Sequence, residues 1–408
     1  MESIKEIFKI GNGPSSSHTM GPCYACEDFV EQLAKKKLHA EHIKVTLYSS
    51  LAWTGHGHLT DVAIKNKLKD FNCEVIFDYK TETKHPNTLK FEAYDSKNNL
   101  VFTETYLSIG GGYIQTVDGR KKEVKDIYQF KTFDELTSLL TSSKMDVIQF
   151  IDSVESNSLE SYLDKVIDAM IESVDRGIKA DGTVAFELKV KRVAGEIYQK
   201  AKLMPEGYEK TCMLLTAFAY ATSEENAAGG IIVTAPTAGS CGVLASLVYY
   251  YLNVLHVSRQ EIINALKVAG MIGLIVKTCA SISGSVAGCQ AEIGTASSMG
   301  AAFCSYLAGL SIKEIGYAAE VSLEHSLGLT CDPVHGYVAI PCIERNGFGV
   351  LRAYDGYLYS KNMSNIREAY VKLDDVISVM YETGIRMHQD LKETSRGGLA
   401  TIKHDKEN

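Results

Sequence analysis

The sequence lacks an excess of basic residues. Its 408 residues include 42 lysines and arginines against 50 aspartates and glutamates, which gives a formal net charge of -8 at pH 7. Binding to the phosphates of nucleic acid requires a concentrated basic surface, so nucleic acid is not expected as the main partner. We expect the chain to act on a small molecule instead.

The sequence also lacks the features of export and of membrane insertion. Residues Met1–Phe8 contain no basic patch followed by the long apolar run that a secretory signal requires. The most apolar later stretch, Val268–Ile275, is closed by Lys277 and is far shorter than the ~20 residues that span a bilayer. We therefore expect a soluble, cytoplasmic protein that does not bind a membrane.

Two common cofactor motifs are missing as well. The glycine run Gly110–Gly112 lacks the Lys-Ser/Thr pair that completes a phosphate-binding P-loop. No lysine stands in a setting that singles it out as the Schiff-base partner of pyridoxal phosphate. The chain is therefore expected to use neither a P-loop nor that cofactor.

The first part of the chain has a mixed pattern. Strand-like segments at Ile43–Tyr48 and Leu100–Tyr106 alternate with helical stretches near 23–35 and 60–69. This alternation is typical of an α+β domain.

Beyond this part, the polar segment Thr132–Asn157 is interpreted as a connection that contains a short helix over Phe133–Leu140. After Leu159, apolar residues recur at intervals of three and four, as on an amphipathic helix. The sequence thus predicts an α+β N-terminal domain over residues 1–145, a connecting segment over 146–160 and a mostly α-helical C-terminal domain over 161–408.

Ten cysteines are present, and most of them lie in the helical half. Without export, they are expected to be reduced thiols that serve as core residues or metal ligands. Three of them stand beside glycine or proline, in positions that suit loops or helix ends: Cys289, Cys331 and Cys342. The Cys23-x-x-Cys26 pair is expected only to pack one helix face.

Three interpretations of these three thiols remain open. Three thiolates can hold three corners of an iron-sulfur cluster and leave one iron free to act as a Lewis acid on a hydroxyl. Zinc is the second, although structural zinc sites usually use closely spaced cysteine pairs, and residues 332–341 separate Cys331 from Cys342. Buried, inert cysteines are the third.

A hydroxyl-rich loop, Ser15–Thr19, lies just before Pro22, where a helix is expected to begin. Its hydroxyls, the His18 imidazole and its backbone amides suit a carboxylate at a helix N-terminus. Serine-rich turns are common, so this loop alone is a weak indication of a binding site.

A second loop, Thr54–Asp61, places two imidazoles before a predicted helix that Thr60 or Asp61 is expected to cap. Such a loop can present a general base with a tunable pKa. The spacing of His56, His58 and Asp61 also resembles part of a dinuclear metal site, and a solvated loop is the remaining alternative.

Ten short motifs occur in order along nearly the whole chain. They are Gly13–Thr19, Gly57–Asp61, His85–Thr88, Ser108–Gly112, Glu224–Gly230, Ala235–Thr237, Gly288–Gln290, Leu327–Pro333, Pro341–Asn346 and Thr394–Ala400. Together they resemble the motifs of the bacterial-type iron-sulfur L-serine dehydratases, or L-serine deaminases, with the β and α parts fused in one chain.

The resemblance implies that the helical domain holds a [4Fe-4S] cluster and that the enzyme dehydrates L-serine to pyruvate and ammonia, in amino acid degradation and gluconeogenesis. It implies the cluster ligands Cys289, Cys331 and Cys342. It implies His58 as the base for the α-proton and His18 as a second catalytic residue. The substrate-binding residues that it implies are Ser15, Ser16, Ser17, Thr19, Thr60 and Asn87. A homodimer is expected on general grounds.

Several positions depart from the family pattern. His56 stands where many members have lysine, Cys279 where asparagine is usual, and Val286 where an acidic residue precedes the glycine-cysteine pair. Some single-chain relatives end in a cysteine that reaches the fourth iron, whereas this chain ends in Lys403–Asn408. The fourth ligand is therefore left open between water, another non-thiolate group and another cysteine.

Two other functions remain open at this level. A non-catalytic amino-acid-binding protein would bind serine with or without iron, because a fold does not dictate its chemistry. The same cluster-and-base chemistry could also remove sulfide from L-cysteine. L-Threonine is a candidate side substrate, since only one methyl group must be accommodated.

Overall fold

The computed structural model describes residues 1–120, 125–394 and 396–402. The tail Lys403–Asn408, on which the prediction about the fourth ligand rests, and Ser395 of the Thr394–Ala400 motif lie outside the described residues.

The described residues form short strands and many helices. The strands are β1 (Ile10–Asn12), β2 (His42–Tyr48), β3 (Asn72–Asp78), β4 (Thr88–Tyr94), β5 (Leu100–Gly110), β6 (Tyr113–Thr116), β7 (Thr183–Val184), β8 (Val190–Lys191) and β9 (Ile231–Val233). The helices are α1 (Gly21–Lys35), α2 (Ser50–Trp53), α3 (Thr60–Lys67), α4 (Phe133–Ser143), α5 (Val147–Val154), α6 (Ser158–Lys179), α7 (Ala194–Lys202), α8 (Tyr208–Ala227), α9 (Cys241–Tyr249), α10 (Arg259–Cys279), α11 (Gly284–Ala287), α12 (Thr295–Leu307), α13 (Ile312–Glu324), α14 (Cys342–Met363) and α15 (Leu373–Arg386).

Five strands form one mixed sheet in the order β3-β2-β4-β5-β6. Strands β2 and β3 run parallel, with α2 and α3 in the crossover between them, while the other neighbours are antiparallel. Along β2, Ile43, Val45 and Leu47 are buried in one core with Phe29 and Leu33 of α1. Their two-residue spacing places all three side chains on the face that α1 covers.

The helices of the second half pack around a larger apolar core. Small residues allow close crossings: a Cβ on Gly177 of α6 would lie 2.2 Å from the Ala221 carbonyl oxygen of α8. Among the described residues, α10 alone is long and apolar enough to cross a membrane, and 78% of its apolar window is buried inside the protein. It is longer than the predicted apolar stretch Val268–Ile275, and its burial is typical of a core helix.

The prediction of an α+β half followed by a mostly helical half is confirmed. The segment 146–160, predicted as a connection, contains α5 and the start of α6. The buried ammonium of Lys267 on α10 lies 2.6 Å from Asp152 and 2.8 Å from Glu160. These ion pairs hold the segment on the helical core.

The first residues of the chain also belong to the helical core. Ile4, Ile7 and Phe8 are buried there together with Phe133 and Leu136. Strand β1 then pairs antiparallel with β9 of the helical half. The division between the two cores therefore differs from the predicted boundary at residue 145, and the β1-β9 ladder fixes the hydroxyl-rich loop on the helical half.

Gly177→Ala is expected to destabilise the protein by about 1–3 kcal/mol, although alanine by itself favours a helix over glycine. The added methyl group would overlap the backbone of α8, which cannot move aside as a flexible side chain would. Urea unfolding followed by circular dichroism measures the change. Ser161→Ala, on the exposed part of α6, is the control and should change stability by less than about 0.5 kcal/mol. A Gly177→Ala protein as stable as the wild type would contradict the close crossing.

Candidate active site

The hydroxyl-rich loop is anchored to both halves of the protein. Ser15 precedes a single π-helical turn, Ser16–Met20, and its Oγ accepts a hydrogen bond from the His18 backbone amide. The Ser16 hydroxyl accepts a hydrogen bond of 2.7 Å from the Ala238 amide of the helical half. Thr19 donates its hydroxyl proton to the His58 carbonyl oxygen at 2.9 Å. The two predicted loops are therefore in direct contact.

His58 lies in the crossover that follows β2 and is buried. Its Nδ1 lies 2.8 Å from the Thr54 carbonyl oxygen, which can only accept, so Nδ1 carries the proton and Nε2 is left with a free lone pair. Burial lowers the pKa of His58 to about 4, which keeps the ring neutral at pH 7. This is the state that a general base requires.

The start of α3 differs from the prediction. Leu59 occupies the N-cap position in a left-handed conformation and makes no capping bond, whereas Thr60 is the first helical residue. The cap predicted at Thr60 or Asp61 is therefore wrong. The Thr60 hydroxyl is buried without a hydrogen-bond partner in the described part of the chain.

His18 stacks on His58 with ring centroids 4.4 Å apart. Its Nε2 lies 3.1 Å from the Ser50 hydroxyl, which itself donates to the Glu393 carbonyl oxygen at 2.6 Å. Because the Ser50 proton is already used, His18 Nε2 must be the donor, and Nδ1 is an acceptor. Burial, followed by the neighbouring His58, lowers the pKa of His18 well below its usual value.

Sequence reasoning missed Glu393, which lies against both imidazoles. Its Oε1 is 3.3 Å from His18 Nδ1, 3.6 Å from His58 Nε2 and 3.5 Å from the Ser17 hydroxyl oxygen. Burial raises the pKa of Glu393 to about 8. Its position just before the Thr394–Ala400 motif was the only sequence signal for it.

A short ladder places Glu393 in the site. The Cys331 amide donates to the Leu391 carbonyl oxygen at 2.8 Å, and the Glu393 amide donates to the Cys331 carbonyl oxygen at 2.6 Å. Asp332 accepts a further bond of 2.9 Å from the Leu399 amide. The C-terminal segment thus connects the imidazoles to the predicted metal ligands.

The three predicted ligands are all buried thiols of the helical half. Cys289 follows α11, Cys331 lies on the ladder and Cys342 begins α14. The sulfur atoms of Cys289 and Cys331 and a carboxylate oxygen of Glu292 lie within 4.8 Å of one another. Their position at loops and helix ends agrees with the sequence analysis.

Arg345 is the cation of this thiol pocket. It donates to the Thr330 carbonyl oxygen at 2.5 Å and to Asp332 at 3.2 Å. A hydrogen bond from the Cys331 thiol and the Arg345 charge lower the pKa of Cys289 to about 6, against the effect of burial. The pocket therefore favours a thiolate at Cys289.

Glu292 is the second carboxylate that sequence reasoning missed. Its Oε2 lies 3.9 Å from the sulfur atoms of both Cys289 and Cys331, and its Oε1 accepts a bond of 2.7 Å from the Thr237 hydroxyl. Burial, followed by the nearby Cys289 thiolate, raises the pKa of Glu292 well above its usual value.

The chemistry of the donor set is compatible with an iron-sulfur cluster. Soft thiolates select iron-sulfur clusters and zinc over hard cations. Gly284 lets the Cys331 sulfur and Glu292 pack closely against its backbone, because a Cβ there would come 2.9 Å from that sulfur and 2.6 Å from Glu292 Oε2. Cys289 and Cys331 are close enough to share a metal, whereas the Cys342 sulfur is outside the group of ligand atoms that lie within 4.8 Å of one another.

Asn87 extends the site into the sheet domain. It is buried, and its side-chain amide donates to the Ser108 carbonyl oxygen at 3.4 Å and to the Ser285 hydroxyl at 3.3 Å. Ser285 belongs to α11, which ends two residues before Cys289. The structure therefore brings Asn87, both imidazoles and the thiol segments together.

Other candidates lie elsewhere. His56 is exposed and stacks on Phe77 with ring centroids 3.9 Å apart, whereas His58 is buried, so the two rings do not share a metal site. Cys279 is exposed at the end of α10. Gly57 is needed for close contact, since a Cβ there would lie 2.5 Å from the Gly336 carbonyl group.

Comparison with known proteins gives matches along nearly the whole chain. A family model described as Serine dehydratase alpha chain matches residues 39–400. The L-serine dehydratases of Helicobacter pylori and Streptomyces coelicolor are 36% and 35% identical to this chain, over 98% of it and over 99% and 98% of their own lengths. L-serine dehydratase 1 of Escherichia coli is 34% identical over 98% of this chain and 99% of its own length.

The buried His58 predicts an acid-dependent loss of stability. Folding lowers the pKa of His58 from 6.5 to about 4, so between these pH values the unfolded state takes up a proton that the folded state does not. The free energy of unfolding is therefore highest above pH 6.5 and falls as the pH drops toward 4. Between pH 7 and pH 4, the wild type should lose about 3 kcal/mol more than His58→Asn in urea titrations. The exposed His56→Asn is the control and should follow the wild type. Equal losses in all three proteins would show that His58 is not held neutral by burial.

Proposed function

Because the chain belongs to the serine dehydratase family, we propose that it is an iron-sulfur L-serine ammonia-lyase. The reaction is the dehydration of L-serine to pyruvate and ammonia without pyridoxal phosphate. Its relatives named L-serine dehydratase support the substrate.

The observation that carries the proposal is that Glu393 links the proposed base to the thiol pocket. Glu393 faces His18 and His58 on one side, and its backbone is paired with Cys331 on the other. Serine has a poor leaving group and a weakly acidic α-proton, so its elimination needs a base on carbon and a Lewis acid on oxygen at once. The imidazoles can supply the base, and the thiols can hold the Lewis acid.

The thiols of Cys289, Cys331 and Cys342 would hold a [4Fe-4S] cluster. When bound, such a cluster supplies a Lewis acid for the departing hydroxyl group. Arg345 supports the negative charge of the thiolates, and burial keeps bulk water away from them.

His58 takes the α-proton on Nε2 in this mechanism. The Thr54 carbonyl oxygen fixes the tautomer, and burial keeps the ring neutral, so Nε2 is ready to accept a proton at pH 7. The Ser15–Thr19 loop, with its hydroxyls around His18, holds the substrate carboxylate and so orients the α-carbon. The resulting enamine tautomerises and hydrolyses in water without further catalysis.

Cys331→Ser is expected to lose iron and acid-labile sulfide and to reduce pyruvate release from L-serine by more than about 100-fold, because a ligand and the Lewis acid are both lost. Anaerobic purification followed by metal analysis and a pyruvate assay measures this. Cys279→Ser, which changes an exposed thiol, is the control and should keep both properties. A zinc-containing or metal-free wild type that is inactive would contradict the proposal.

His58→Asn is expected to keep its iron and sulfide but to lower kcat by about 10²- to 10⁴-fold, because only the proton acceptor is removed. Asparagine can still donate a hydrogen bond to the Thr54 carbonyl oxygen, which limits structural damage. Exchange of the L-serine α-proton with deuterated solvent should fall by the same factor. Wild-type exchange in this variant would assign the base elsewhere.

A further inference from the structure

The site contains buried acceptor oxygens that the described part of the chain leaves unpaired. Oε2 of Glu393 and Oδ1 of Asn87 are both buried and have no hydrogen-bond partner in the described part of the chain. Glu393 is only 6% exposed and Asn87 only 1%. An unpaired buried acceptor is costly, most of all on a carboxylate, so both atoms indicate a ligand that supplies donors.

Asn87 and Glu393 both contact Ser285. Asn87 donates its amide to the Ser285 hydroxyl at 3.3 Å, and the Ser285 backbone amide faces the Glu393 carboxylate. The other carboxylate oxygen, Oε1, already faces His18 and His58. Because both imidazole nitrogens that face Oε1 are acceptors and burial raises the pKa of Glu393, the carboxyl proton lies on Oε1 in the protein alone, and Oε2 is the free end of the group.

We propose that Glu393 Oε2 and Asn87 Oδ1 bind the α-ammonium group of the substrate, which rests on the function proposed above. A primary ammonium carries three donors, which can serve both unpaired oxygens, and its positive charge favours the ionised form of Glu393. The hydroxyl-rich loop Ser15–Thr19 contains no acidic residue, and Glu292 is engaged by Thr237 in the thiol pocket. Glu393 is therefore the carboxylate that is placed for an ammonium on the imidazole side.

This assignment places the α-carbon beside the base. The ammonium group is one bond from the α-carbon, and Glu393 Oε1 is 3.6 Å from His58 Nε2. Glu393 thereby acts as a specificity-determining residue that selects 2-amino acids over hydroxy acids without an amino group. Binding of an ammonium group also explains why Oε2 of the deeply buried Glu393 has no partner in the part of the chain that the structure describes.

The test compares two competitive inhibitors of pyruvate release by the holoenzyme. L-Alanine carries the ammonium group but no hydroxyl, whereas 3-hydroxypropanoate carries the hydroxyl but no ammonium. Glu393→Gln should weaken L-alanine about 10- to 100-fold while changing 3-hydroxypropanoate less than about 2-fold. Calorimetric titration of both compounds gives the same comparison where the remaining activity is too low. Iron and sulfide content checks that the variant is intact.

Two further variants keep the test decisive. Asn87→Leu should weaken L-alanine selectively as well, by a smaller factor. Glu320→Gln is a matched control, because Glu320 of α13 is also a buried glutamate with an unpaired oxygen but lies outside the site. It should change neither affinity.

The assignment would be overturned if Glu393→Gln weakened the binding of both inhibitors equally, or if it weakened the binding of neither. The proposed function would be left intact in both cases. A wild-type holoenzyme that releases no pyruvate and binds neither compound would instead overturn the proposed function itself.

Discussion

The pairing of the C-terminal segment with Cys331 is the contact on which the rest of the site depends. The Cys331 backbone exchanges hydrogen bonds with Leu391 and Glu393, so a thiol and a carboxylate are held on one short ladder. The Ser50 hydroxyl then donates to the Glu393 carbonyl oxygen, which ties the same segment to the sheet domain. Because these bonds are short and buried, the imidazoles and the thiols keep a fixed relation to each other across the two halves of the protein.

Burial gives the two sides of the site opposite chemical characters. On the imidazole side, His58 is held neutral and presents a lone pair beside the unpaired oxygen of Glu393. On the thiol side, Arg345 favours a thiolate at Cys289. A substrate that carries both a cationic group and a leaving hydroxyl can satisfy both sides at once, and an amino acid with a β-hydroxyl has these groups on adjacent carbons.

Short sequence patterns predicted much of the site, whereas Glu393, which reaches the site only through long-range contacts, was missed. The thiols and the histidine loops are visible because their residues lie together in short motifs, and the Asp146-x-x-Gln149 capping box could have revealed α5. Glu393 could not be placed, since its contact with Ser17 joins residues 376 positions apart. The N-cap at Leu59 was missed for another reason, because nothing in the sequence marks a leucine for a left-handed conformation.

The central claim is that one substrate molecule reaches both the thiol pocket and the imidazole pair. Mössbauer spectra of iron-57-loaded protein, recorded anaerobically before and after addition of L-serine to His58→Asn, test this most directly, because the slow variant keeps the substrate bound. The account predicts that a single iron site changes its isomer shift and quadrupole splitting on addition of L-serine. Spectra that are identical with and without L-serine at saturating concentration would contradict it.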